Sequence, residues 1–287
     1  MGKGYQDRDY EIIDYQLYQI RGFDRFFRGP KLSSLNAGKY FMCLGAAQTF
    51  GCFTETPFPF LLKQKLSIDV INAGAAGAGP ILFLKNKRYI QLANQSRFVI
   101  IQLMSGRSES NQYFDNPGGR DTLVRRVDGK RYQSEAAYNE LLVSADLGEV
   151  GEIIEETKKN YMEHMLELLH LIEVPKILFW FSERPPEYIP EFDNAQSLFG
   201  KYPQLIDQQM LNQLIPYSDY FVLCSSRVGL PQKLINRFTG EKTSYMNPQV
   251  DKKEKHFNYY YPSPEMHQLA FDALYPVCQK ILSTTLL

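Results

Sequence analysis

Five short, almost continuously apolar runs alternate along the chain with stretches of helical period, and this alternation restricts the fold more than any other feature. The runs are YFMCLGA (40–46), SIDVINAG (67–74), RFVIIQLM (97–104), VPKILFWF (174–181) and DYFVLCS (219–225). A strand that is apolar at nearly every position is one buried on both faces. Between the runs lie the helical patterns 58–66, 80–94, 150–172 and 203–215, and the last helix is expected over 263–282, with Ser263 as N-cap and Pro264 at the first helical position. Strands that alternate with helices imply an α/β fold, a parallel sheet joined by right-handed crossovers.

Two regions depart from the alternation. Residues 1–38 precede the first strand and read as an N-terminal flank or lid on the α/β domain that occupies 39–287. Within that domain an insertion follows the third strand, 105–149, where NPGGRDTLVRRVDGKRY has the Gly and Asp-Gly turns of a small hairpin and leads into a helix at about 134–144. The loop 226–261 is also long and polar. Both long segments are expected at the carboxyl edge of the sheet, where ligands bind in open α/β folds.

Bulk composition excludes several classes of function. Thirty-two basic residues balance thirty-two acidic ones, so no global field favours nucleic acid or an anionic membrane. No stretch reaches the roughly 18 to 20 apolar residues of a membrane helix, and MGKGYQDRDYEII carries no apolar signal segment. A cytoplasmic protein is the expectation. Cys43, Cys52, Cys224 and Cys278 have no CxxC spacing and read as reduced, packed residues, and the four histidines form no HxxxH pair. No metal site and no cofactor are indicated: there is no GxxxxGK[ST], and Gly74, Gly77 and Gly79 make only a loose glycine string.

The stretch LGAAQTFG (44–51) then becomes informative. In order along the chain, four short blocks resemble those of the SGNH, or GDSL-like, hydrolase superfamily. Gly-Asp-Ser-x-Thr-x-Gly is similar to Gly45-Ala46-Ala47-Gln48-Thr49-Phe50-Gly51, with alanine at both the aspartate and the nucleophile. Asn-x-Gly-x-x-Gly matches Asn72, Gly74 and Gly77. The third strand ends in Met104-Ser105-Gly106-Arg107 where the family has Gly-x-Asn-Asp, and Asn258-Tyr259-Tyr260-Tyr261-Pro262-Ser263 replaces Asp-x-x-His-Pro-Ser. Strings such as FFRGP, LMSGRSESN and YYPSPEMH further resemble a bacterial domain-of-unknown-function family without an established reaction. The resemblance implies a flavodoxin-like three-layer sandwich with a degenerate catalytic site. Serine hydrolysis needs a nucleophile, a base to take its proton and an acid to orient the base, and alanine and tyrosine fill none of those roles.

What remains at the edge is a set of donors: Gln48 and Thr49 after the first strand, Gly74 and Gly77 after the second, Ser105, Arg107, Ser108 and Asn111 after the third, Arg184 after the fourth, and Tyr261 and His267 at the end. Guanidinium forks grip carboxylate, sulfate or phosphate in bidentate fashion. Gln48 and Arg107 are expected to share the switch-point crevice. Each has a plainer reading: Arg107 as an ion-pair partner, Arg184 as a loop anchor, His267 as a packed or capping residue. If catalysis survives, Ser105, Ser108, Tyr261 and His267 are its candidates. The expected partner is an anionic small molecule or a glycan, and an oligomer is compatible with the sequence. Three functions fit: a group transferase for acyl or sulfuryl units in surface polysaccharide biosynthesis, a non-catalytic binding module or pseudoenzyme, and a hydrolase with a relocated nucleophile.

Overall fold

A computed structural model describes residues 4–246 and 253–284, so residues 247–252 of the long polar loop lie outside the described chain. The five apolar runs become β1 (Tyr40–Leu44), β2 (Asp69–Asn72), β3 (Val99–Gln102), β4 (Lys176–Ser182) and β5 (Tyr220–Ser225). They form one parallel sheet in the order β5-β4-β3-β1-β2. This is the flavodoxin-like order, with its switch point between β1 and β3.

Helices cover both faces. On one side lie α1 (Phe58–Leu66) and, at the end of the chain, α7 (Pro264–Thr284); on the other lie α2 (Pro80–Lys85), α3 (Lys87–Asn94), α5 (Leu147–Leu171) and α6 (Gln208–Leu214). Alternate strand residues divide between the two cores. Phe41, Ile100, Phe179 and Phe181 join α1 and α7, whereas Met42, Ile101, Leu178 and Trp180 join the opposite layer. The period-2 pleat explains why these runs have no polar face, and each large side chain so buried contributes about 1.5 to 3 kcal/mol.

Helix ends follow local chemistry. Asp146 caps α5 by accepting from Glu149 N at 2.9 Å, and Ser263 caps α7 by accepting from Met266 N at 3.1 Å. The stretch 80–94 reads as one helix but forms two, because Asn86 takes an extended conformation and its side chain caps α3 through Arg88 N at 3.1 Å. α6 begins at Gln208, later than the pattern at 203 suggests, where Asp207 accepts from Met210 N at 2.9 Å.

The insertion is a small unit with its own core. Its hairpin gains a third strand, giving Phe114–Asp115, Leu123–Arg125 and Arg131–Tyr132, packed with α4 (Ser134–Ser144) around Phe114, Leu123, Tyr138 and Leu141. The N-terminal flank lies on the sheet edge: a one-turn helix (Tyr5–Asp9), a short antiparallel pair (Tyr18–Gln19 with Phe26–Phe27), and a backbone bridge from Arg28 to Asn72.

Candidate functional site

The turn after β1 is fixed by two side chains from neighbouring strands. Gln102 Oε1 accepts from Ala46 N at 3.0 Å and from Thr49 Oγ1 at 2.9 Å, while its Nε2 donates to Leu103 O at 2.7 Å and to the Tyr202 hydroxyl at 2.5 Å. Asn72 Nδ2 donates to Thr49 O at 2.9 Å and its Oδ1 accepts from Gly74 N at 3.0 Å. The glycines of the first two blocks leave no space for a side chain. A Cβ on Gly45 would lie 2.2 Å from Thr49 Oγ1, and one on Gly74 would lie 2.2 Å from Phe50 N. Thr49 and Gly74 thus hold the turn in shape.

Ala47, at the position the resemblance gives to the nucleophile, is buried in an aromatic cluster with Tyr15, Phe50 and Phe53, against which Tyr5 and Tyr261 pack. The flank supplies the cover. The Arg8 guanidinium lies 4.8 Å from the Tyr5 ring centre, 5.0 Å from Phe53, 4.9 Å from Tyr245 and 6.0 Å from Tyr261. Its Nη2 donates to Asp9 Oδ2 at 2.6 Å, and Tyr15 donates to the same oxygen at 2.6 Å. Asn258, at the position of the acid, pins its own turn: Nδ2 donates to Gln232 Oε1 at 2.9 Å and Tyr261 O at 2.8 Å, and Oδ1 accepts from Tyr261 N at 2.9 Å.

His267 is fully buried between the rings of Phe58 and Phe181, and its Nδ1 accepts from Phe58 N at 3.2 Å. Burial, with the nearby charge of Arg28, pushes its pKa down to about 3. The imidazole is neutral near pH 7, with the proton on Nε2, which has no partner within the protein. It serves the packing of α1 on α7.

The two arginines singled out from sequence have acidic or carbonyl partners. Arg107 donates through Nη2 to Asp121 at 2.6 Å and through Nη1 to Glu135 at 2.9 Å, bracing the insertion against the sheet edge beside Gly77. Arg184 donates to five carbonyls, of Pro185, Pro186, Lys201, Pro203 and Ile206, at 2.6 to 3.1 Å, and lies against the rings of Trp180 and Tyr188. Ser105 Oγ accepts from Arg107 N at 3.3 Å. Ser108 and Asn111 turn into the insertion: Ser108 O accepts from Asn116 Nδ2 at 2.5 Å, and Asn111 Nδ2 donates to Tyr138 and Thr157 at 2.9 and 3.0 Å. Gln48 is buried, its Oε1 has no partner, and no hydrogen bond joins it to Arg107.

The sequence reading underrated the flank. Arg28 is buried over the β1 turn, 4.6 Å from the Tyr15 ring centre and 5.7 Å from that of Phe50. Its Nη2 donates to Thr54 O at 2.9 Å and Glu55 O at 3.0 Å, whereas Nε and Nη1 have no partner within the protein. Burial lowers its pKa to about 10, so it stays charged at neutral pH. Arg25 donates to Gly74 O at 2.7 Å and to Ala73 O at 3.3 Å. Arg120 lies close enough for its charge to act with burial in lowering the Arg25 pKa. A second group missed is His164, whose Nδ1 pairs with buried Glu109 at 2.8 Å across 55 positions. Sequence points to Arg28, with the 120–131 hairpin, only as a source of basic residues for a transferase's donor subsite; no local spacing marks the pairing of His164 with Glu109. Among the described residues no three His, Cys, Asp or Glu side chains converge as metal ligands, and no helix is long and apolar enough to cross a membrane.

A family model described as "Domain of unknown function (DUF6473)" matches residues 4–119 and 140–282. No curated protein matches the sequence. Among solved structures the chain is similar to a G-D-S-L family protein from Desulfitobacterium hafniense DCB-2, at 14% identity over 84% of this chain and 99% of that one, with a TM-score of 0.40. A carbohydrate esterase family 2 enzyme with a carbohydrate-binding domain, from Corynascus thermopiles, is similar at 12% identity, over 90% of this chain and 70% of the other, with a TM-score of 0.42. An acetylxylan esterase from Geobacillus stearothermophilus is similar at 15% identity, over 84% and 94%, with a TM-score of 0.37.

Proposed function

The chain belongs to the DUF6473 family, and we propose that it binds an oxyanion-bearing ligand, an anionic small molecule or an acidic glycan, at the carboxyl edge of its sheet without hydrolysing it. The observation that carries this reading is Arg28, a buried guanidinium set over the β1 turn with Nε and Nη1 unpartnered. Unpartnered N–H groups on a buried guanidinium are costly, and an oxyanion that reaches one of these nitrogens would give it a charge-assisted hydrogen bond. Arg25 on the Gly74 loop, with Arg120 nearby, adds positive charge at the same edge. Hydrolysis or group transfer would need a base beside the reacting atoms. His267, Tyr261 and Asn258 are each committed to packing or turn contacts, which favours binding without turnover.

The test compares wild type with Arg28→Gln, whose amide can still donate to Thr54 O. Thermal shift is measured against sulfate, phosphate and acidic oligosaccharides, and hydrolysis against p-nitrophenyl acetate. The expected result is a rise in Tm with one of these anions, lost in Arg28→Gln, and no ester cleavage above the uncatalysed rate. A ligand that binds only the native state raises Tm by mass action. Equal shifts in both proteins, no shift in either, or enzymatic ester turnover overturns the reading.

A further inference from the structure

The insertion carries an open cavity of about 400 Å³ between its small sheet and α4. Its floor is apolar: Phe114 and Leu141 are buried, and the ring of Tyr132 forms a wall. Arg125, Arg126 and Glu140 also line the cavity, in a network of ion pairs. Arg125 is neutralised by Asp128 and Glu140 and lies against the Tyr132 ring, so its side chain is fixed. Arg126 is held by two contacts, Nε to Asn111 O at 2.9 Å and Nη2 to Asp115 at 2.7 Å, yet its side chain is 49% exposed and Nη1 has no partner. The result is an aromatic and aliphatic pocket with one pre-oriented guanidinium edge at its entrance. Residues 120–139, which supply the second and third strands and the first half of α4, fall between the two stretches that the family model matches.

We infer that this cavity is a binding site for a small amphipathic anion, an aryl or short-acyl carboxylate or sulfonate, whose apolar body lies on Phe114 and Leu141 and whose anionic group meets Arg126. The volume is within the range of small-molecule sites, about 300 to 1,000 Å³, and the lining has the usual form of an apolar surface with a few convergent polar groups. The free Nη1 edge of Arg126 is what favours an anion: the other guanidinium nitrogens at the rim already have carboxylate or carbonyl partners, and a neutral ligand would leave that edge unused.

Anilinonaphthalene sulfonate is a probe of this chemistry, because it joins an aromatic body to one sulfonate and fluoresces when taken out of water. Titration of the intact chain is expected to show one saturable site. Ser144→Trp places an indole over the mouth from an exposed position and is expected to abolish the signal, with Tm unchanged. Leu141→Trp fills the floor and is expected to abolish the signal as well, with a lower Tm because Leu141 is a core residue. Arg126→Gln is expected to weaken binding about tenfold, the loss of one charge-assisted hydrogen bond. Arg28→Gln is expected to bind the probe as the wild type does, which separates this cavity from the site over the β1 turn. No saturable binding, binding that survives Ser144→Trp, or affinity indifferent to Arg126→Gln overturns the assignment.

Discussion

Tyr261 and Tyr5 meet hydroxyl to hydroxyl at 3.4 Å, across 256 positions of chain. The contact sets a side chain of the N-terminal flank against the position where the SGNH resemblance puts a catalytic histidine. The flank therefore belongs to the edge of the sheet, and the space over Ala47 is filled by the protein's own aromatic rings.

Restoring the missing hydroxyl should not restore hydrolysis. In Ala47→Ser the new Oγ would face rings, with no imidazole to take its proton and no carboxylate to orient one. The expected p-nitrophenyl acetate rate is that of buffer, and turnover of even one acetyl group per minute above background would show that a base reaches this position.

Two glycines should respond in opposite directions to alanine. Gly74→Ala drives a Cβ to within 2.2 Å of Phe50 N, a backbone atom that cannot move without opening the turn. A loss of about 1 to 3 kcal/mol, or failure to fold, is expected. Gly151, inside α5, has nothing within 4 Å of its Cβ position. Gly151→Ala should add roughly 0.5 to 1 kcal/mol through helix propensity. Urea midpoints of the two variants measure both effects.

Buried His267 and half-buried His164 give stability opposite slopes with pH. His267 has its pKa pushed below the ordinary 6.5 to about 3, so its contribution is intact above pH 6.5 and is lost as pH falls toward 3. The slope in that window is about 1.4 kcal/mol per pH unit. His164 is raised above 6.5, first by its hydrogen bond to Glu109, so its contribution is present below 6.5 and is lost as pH climbs through the raised value. His267→Gln keeps an acceptor for Phe58 N and should flatten the acid limb of a stability profile. His164→Gln should flatten the limb at higher pH. If each variant only lowers the whole curve, the titrating groups are others.

Arg184 and Arg107 should separate by the depth of their contacts. Arg184→Ala removes the donor to five carbonyls, of which Pro203 O keeps Ile206 N at 3.3 Å, and a loss of about 3 to 5 kcal/mol is expected from the broken buried network. Arg107→Ala breaks two ion pairs, one of them to the 56% exposed Glu135 side chain, and should cost about 1 kcal/mol. Its clearer sign is faster proteolysis of the insertion between Pro117 and Lys130. Equal losses for the two variants would contradict this division.

Strand order and layers were legible because they rest on periodicity, which is local. Runs such as 174–181 have no polar face, and a strand without one can sit only inside a parallel sheet covered on both sides. Helix boundaries were legible where a cap is a single residue, as at Ser263, and less so at Asn86, where a residue ordinary within a helix instead ends one and begins another.

The site was legible only as a set of positions. Sequence alone determined the turn after β1, the absence of a serine in it, and a supply of arginines around it. Tertiary structure decided which arginines have acids or carbonyls at hand and which do not: Arg107 and Arg184 are paired within the chain, whereas Arg28 keeps two nitrogens unpartnered. The reason is physical. Whether a buried guanidinium is satisfied depends on carbonyls and carboxylates brought together from distant segments, and the fit of Tyr5 to Tyr261, or of Glu109 to His164, has no period that a sequence can display.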